Sequence, residues 1–152
     1  MLVVREARVS TLRACENEEM AAARQARLDS ALLAAVRKGD GLEVGTLLRT
    51  GARVATTDEY GATPLHAACQ SGHEACVRAL LGAGANTEAA DKNGFTPLFI
   101  ACEKGDAACV RALLGAGASV SACATDGSTP LSFARSRGHA AIVRMLQDAL
   151  AA

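Results

Sequence analysis

The chain has 152 residues, half of them hydrophobic, and its 16 basic residues balance 16 acidic ones to a formal charge of zero. That length is the usual size of about one domain, at roughly 150 residues each. The charge balance excludes the basic footprint of a nucleic-acid binder or of a surface built for anionic membranes, and no apolar run approaches the ~20 residues of a membrane span.

Residues 1–27 come first and stand apart. Met1-Leu2-Val3-Val4 is too short for the core of a signal peptide and runs at once into Arg5 and Glu6. Arg5, Arg8 and Arg13 fall in a helix-compatible stretch that would suit a mitochondrial leader, but Glu6, Glu16, Glu18 and Glu19 argue against one. The expectation is an intracellular protein, cytoplasmic or nuclear. The segment is rich in Ala, Arg and Glu and reads as helical, although its apolar spacing is poor. It is expected to be a helical extension packed on the remainder of the chain, or a frayed tail.

From residue 28 onward a period of 33 governs the chain. Gly61, Gly94 and Gly127 share it, as do Thr63, Thr96 and Thr129, the prolines at 64, 97 and 130, and Leu65, Leu98 and Leu131. Gly72, Gly105 and Gly138 keep the same spacing, then Val77, Val110 and Val143, then Leu80, Leu113 and Leu146. Leu32, Ala35, Gly39, Val44 and Leu47 continue the pattern backwards in fainter form. The period divides the chain into units 28–60, 61–93, 94–126 and 127–152. Such a period is the mark of a stacked repeat.

Each unit reads as two short helices. Thr63 is placed to cap the first, with its hydroxyl taking an orphan backbone N–H. Pro64 sits at the first helical position, where its missing donor costs nothing. Leu65, Ala67 and Ala68 form an apolar face, and Gly72 ends the helix. A second helix runs from about Glu74 to Leu81, with Val77, Leu80 and Leu81 on one side. A polar segment, Asn86 to Asn93, leads to the next Gly-x-Thr-Pro. In the first unit Asp29-Ser30 is the helix-capping signal. Helices this short cannot bury their own apolar faces and must stack on their neighbours. The core is built from Ala, Leu and Val with no Trp, one Tyr and three Phe, so close helix contact replaces bulk.

At these residues the sequence resembles the ankyrin repeat. Gly61-Ala62-Thr63-Pro64-Leu65-His66 matches the opening motif intact, and Gly94-Phe95-Thr96-Pro97-Leu98-Phe99 and Gly127-Ser128-Thr129-Pro130-Leu131-Ser132 repeat it with changes. Gly72-His73 and Gly138-His139 match the start of the second helix, and Val77 to Leu81 and Val110 to Leu114 match its Val-x-x-Leu-Leu. The resemblance implies an all-α solenoid of helix-turn-helix units joined by β-turn or hairpin loops. Phe99 and Ser132 depart from the family histidine that ties turn to helix, and Asp106 replaces a second histidine. The family's turn aspartate is present as Asp58 and Asp91 but becomes Ala124, so the last turn is expected to be less rigid. Gln147 and Asp148 replace inner Leu and Gly and mark a more polar end unit.

The chemistry-bearing residues read as structural. Cys69 and Cys102 are repeat equivalents, as are Cys76 and Cys109. Stacked helices lie ~8–10 Å apart, beyond the ~7 Å between Cα atoms that a disulfide allows. No C-x2–4-C spacing exists for zinc. The cysteines are expected to be small buried hydrophobes in a reducing compartment. His66 is expected to bond near the Thr63 hydroxyl, and His73 and His139 to bond between repeats. A Cys69–His66 or Cys69–His73 nucleophile pair lacks an orienting acid and an oxyanion donor. Gly82-Ala83-Gly84 comes after a helix rather than a strand, so it is no phosphate loop. No enzyme activity, catalytic residue, cofactor or metal is expected.

The resemblance implies that another protein is met by the turn tips and the exposed side of each first helix. Carried over by position, these are Glu59, Tyr60, Ala62, Lys92, Asn93, Phe95, Thr125, Asp126 and Ser128 on the tips. On the helices they are Gln70, Ser71, Glu103, Lys104, Ser136 and Arg137. Tyr60 and Phe95 are the candidate aromatic anchors, the alternative for Phe95 being that it tucks against the neighbouring turn. The mixed charge of this set points to a partner neither strongly acidic nor strongly basic. The expected role is an adaptor or scaffold, monomeric on its own, without nucleic-acid binding or membrane insertion. A targeting arm of a larger enzyme or signalling protein and a fragment of a longer array remain open.

Overall fold

The computed structural model describes the backbone of residues 2–151 and the side chains of residues 17–151. Eight helices and no strand occur among the described residues: α1 Leu2–Lys38, α2 Gly41–Thr50, α3 Pro64–Ser71, α4 Glu74–Gly82, α5 Pro97–Lys104, α6 Ala107–Gly115, α7 Pro130–Ser136 and α8 Ala140–Ala151. They pair as α1·α2, α3·α4, α5·α6 and α7·α8. Each pair stacks on the next through two layers, a front layer of α1, α3, α5 and α7 and a back layer of α2, α4, α6 and α8.

The 33-residue period is the register of this stack. Leu32, Leu65 and Leu98 lie fully buried in the front layer beside Ala35, Ala68, Ala101 and Ala134. Val44, Val77 and Val110, with Leu80, Leu113 and Leu146, do the same in the back layer. Alanine at the closest approach lets each leucine reach across to the next repeat. A buried leucine of this kind contributes about 1.5–3 kcal/mol.

The helix starts obey the Thr-Pro signal with one exception. Thr63 and Thr129 each form a reciprocal capping box with the residue three places on, His66 and Ser132. Thr96 holds the same extended backbone but makes no side-chain capping bond. Its hydroxyl oxygen is buried without a partner. The reason is Phe99, which stands where His66 stands one repeat earlier and offers no nitrogen. The two threonines are therefore expected to respond oppositely to removal of the hydroxyl. Thr63→Val loses a cap worth about 1 kcal/mol, while Thr96→Val removes a group that is already unsatisfied and is neutral or stabilising. Urea denaturation of both variants checks this, and an equal loss at the two sites would refute it.

The second helices begin differently. Asp106 caps α6 by accepting from Ala108 N–H at 3.1 Å and Cys109 N–H at 3.2 Å. His73 makes no capping bond to α4. Its ring lies over Gly39, and His139 lies over Gly105 in the same way. A methyl group on Gly105 would meet that ring at 2.5 Å, and the residue has φ +78°, so glycine is required there on both counts. His139 also bonds the Glu103 carbonyl at 3.3 Å, across the repeat boundary.

One expectation is corrected at the N-terminus, that Asp29-Ser30 begins a helix. Residues 2–27 and the first helix of the first unit form one uninterrupted helix, α1. Asp29 and Ser30 lie inside it and cap nothing. Asp29 instead accepts from the Arg53 backbone N–H at 2.9 Å and from the Gln25 amide at 3.0 Å, and Gln25 reaches the Gly51 carbonyl at 2.9 Å. A capping residue mimics the helix start only when the preceding chain is extended. Here Ala- and Arg-rich chain of high helix propensity precedes it, and the helix runs through.

Candidate functional site

The turns between repeats form a row along the front layer. In the first, Asp58 accepts from Tyr60 N–H and Ala62 N–H, both at 2.9 Å. In the second, Asp91 accepts from Asn93 N–H at 2.9 Å and Phe95 N–H at 3.0 Å. One carboxylate oxygen thus braces each turn with two donors, a local side-chain-to-backbone pattern favoured by aspartate. Neighbouring turns are joined by Lys92 N–H to the Tyr60 carbonyl at 3.0 Å and Thr125 N–H to the Asn93 carbonyl at 3.2 Å.

The third turn has Ala124 at the bracing position. Asp126, two residues on, supplies a single bond to Ser128 N–H at 2.9 Å. Contacts with Ser128 hold the Asp126 carboxyl below its ordinary pKa. Turn closure by Ala124 N–H to the Ser128 carbonyl at 2.9 Å is kept. The last turn therefore has one carboxylate bond where the others have two, and the Thr125 hydroxyl adds a bond to the Asn93 carbonyl at 2.9 Å.

His66 ties the second turn to α3. Its Nδ1 accepts from Thr63 N–H at 3.1 Å, and Nε2 then carries the proton and donates to the Phe95 carbonyl at 2.7 Å. Burial holds the imidazole below its ordinary pKa, against the pull of the Phe95 carbonyl and the Asp91 and Asp58 charges. The ring is thus a neutral structural group.

Between the tips and the front helices runs a groove of about 390 Å³, lined by Asp58, Tyr60, Ala62, His66, Gln70, Asp91, Asn93, Ile100, Glu103 and Lys104. Six of the fifteen positions singled out from sequence meet here: Tyr60, Ala62, Gln70, Asn93, Glu103 and Lys104. Glu59, Ser71 and Lys92 are exposed beside it. Thr125, Asp126, Ser136 and Arg137 are exposed on the next repeat, and Ser128 is half-buried there. Arg137 reaches back to Glu103 at 2.9 Å.

The two candidate anchors part company. Tyr60 is 67% exposed. Phe95 is half-buried and packs with Phe99 and Phe133, each pair of ring centroids 5.5 Å apart. All three phenylalanines of the chain thus form one cluster joining the second turn, α5 and α7. Asp58, Asp91, His66 and Ile100 complete the groove without being among the contact residues expected from sequence. The aspartates and the histidine read there only as structural groups. Ile100 is detectable as a large residue where the preceding repeat has Ala67.

A model of ankyrin repeats matches three overlapping stretches of the chain, residues 9–91, 31–122 and 83–151. The chain belongs to the ankyrin-repeat family. No match is found among curated proteins. The first matched stretch begins inside α1, in keeping with the unbroken helix there. Ankyrin repeats are in general protein-interaction modules.

The thiols divide sharply. Cys69, Cys76, Cys102 and Cys109 are free and buried in the ankyrin core, and Cys123 is free and exposed. Burial pushes the Cys102 and Cys109 thiols up to about 12, with the Asp106 carboxylate adding to the effect at Cys109. Cys69 is raised by burial and by its Cys109 neighbour. A thiol is reactive as thiolate, so these are inert. In a Cys15→Ser chain, Ellman's reagent is expected to modify Cys123 at once and the four buried thiols only after denaturant is added. A second fast thiol would contradict the burial. No group of three or more metal-ligating side chains occurs among the described residues, and no described helix is long and apolar enough to cross a membrane.

Proposed function

We propose that this chain is a non-catalytic adaptor or scaffold module that holds a partner protein on the face made by its turn tips and front helices. One observation carries the reading: an exposed tyrosine, Tyr60, rims a groove whose walls are turns braced by hydrogen bonds and helices fixed by the core. Rigid aromatic side chains beside a preformed groove give large contact area at small entropic cost. Lys92, Asn93, Gln70 and Lys104 surround it as the polar rim of such an interface. Buried free thiols suit a reducing compartment, and residence in the cytoplasm or nucleus is part of the same reading.

The test is affinity capture from lysate, read by mass spectrometry, with the wild-type chain and Tyr60→Ala as baits. Circular dichroism of both comes first. Tyr60 is exposed, so its truncation leaves the fold intact. A protein retained by the wild type and lost by Tyr60→Ala supports the groove as the binding face. One retained equally by both moves the interface elsewhere on the stack.

A further inference from the structure

The groove carries charges of both signs, with Lys92 exposed beside it. Asp58, Asp91 and Glu103 line it against Lys104, and the Glu103 carboxylate is engaged by Arg137. His66 between the two turns is held neutral. Neither Asp58 nor Asp91 forms an ion pair among the described residues. Each uses its Oδ1 to brace a turn, which leaves the second oxygen of each carboxylate without a donor in the described protein. Beside them stand the exposed Tyr60 ring and the half-buried Ile100 side chain.

We infer that this groove receives an arginine side chain from an extended segment of the partner protein, with the guanidinium at the Asp58 and Asp91 carboxylates and its stem along Tyr60 and Ile100. The inference rests on the groove being the binding face. Arginine fits the lining better than lysine. Its planar, weakly hydrated guanidinium donates to carboxylates in a fixed fork and also stacks on an aromatic face. Its three methylene groups match the apolar wall between the tips. The bracing of each aspartate by two backbone donors fixes the carboxylates before binding, so little order is lost when the cation arrives.

The experiment uses the full chain and a display library of random dodecapeptides. Selection is run on the wild type, on an Asp58→Asn plus Asp91→Asn double variant, and on Tyr60→Ala. Asparagine keeps the oxygen that braces each turn and removes only the charge. Enriched peptides are then labelled, their affinities read by fluorescence anisotropy, and their positions mapped by amide chemical shifts at residues 58–62 and 91–100.

The expected result is arginine at one fixed position of the peptides that map to the groove. Replacing that arginine by alanine weakens binding by about tenfold or more, and lysine restores part of the loss. The double variant loses a similar factor and enriches no arginine. Groove-binding peptides without a fixed arginine, or with one indifferent to the two asparagines, would overturn the inference and leave the binding face standing. A library that yields no groove binder would overturn both.

Discussion

Phe99→Ala is expected to cost about 3–5 kcal/mol and to release the last helix pair before the rest of the stack. Phe99 is 1% exposed and packs against both Phe95 and Phe133 in the three-ring cluster. Each tilted or edge-on pair adds about 0.5–1.5 kcal/mol beyond the area buried. The cluster also stands where the repeat before it uses a hydrogen bond. His66 joins α3 to the Phe95 carbonyl of the next turn, but Phe99 has no nitrogen to reach the equivalent Ser128 carbonyl. Attachment of α7 and α8 therefore rests on ring packing and the shared apolar core, together with the backbone bonds of the turn, the His139 bond to the Glu103 carbonyl and the Glu103–Arg137 pair. In a one-dimensional stack, loss at one interface loosens what lies beyond it. Hydrogen exchange should show residues 130–151 losing protection before residues 64–82. Uniform loss along the chain would refute the assignment of the rings to that boundary.

His66→Ala is expected to cost about 2–4 kcal/mol, because it leaves the Thr63 N–H and the Phe95 carbonyl buried without partners as well as removing a packed ring. The same residue predicts a pH dependence. Its ordinary pKa is about 6.5 in the unfolded chain, and burial lowers it in the folded one. Below about 6.5 the unfolded state binds the proton first, so stability falls as pH drops. The loss is complete once pH has passed below the folded value, and full stability is present above about 6.5. Urea midpoints measured from about pH 7.5 to 5.5 should fall in the wild type, and His66→Gln should flatten that part of the slope. An unchanged slope in the variant would assign the dependence to other groups.

Much of the fold is legible in the sequence. A threonine followed by proline, a glycine after the last helical turn and leucines at fixed offsets are local signals, and each acts through bonds within a few residues. Repetition then multiplies them into a fold, since identical units can stack in one register only when their core positions coincide. The turn tips are legible for the same reason. The groove is legible in part: its polar rim comes from position in the repeat, but Ile100 enters it only because a large side chain replaces Ala67.

The period is silent where one repeat differs from the next. Whether Phe95 faces solvent or packs inward depends on Phe99 and Phe133, which come from the same unit and the one after it. Whether Thr96 finds a partner depends on the loss of a histidine at position 99. Whether Asp29 begins a helix depends on the chain before it and on Arg53 across the pair. The number of units, their helices and the order in which they stack are written into the chain itself, because they arise from short-range capping and from the burial of repeated apolar faces. Which side chains serve as anchors, braces or orphans is settled in three dimensions, by the neighbour, and the repeat it comes from, that fills the space beside each one.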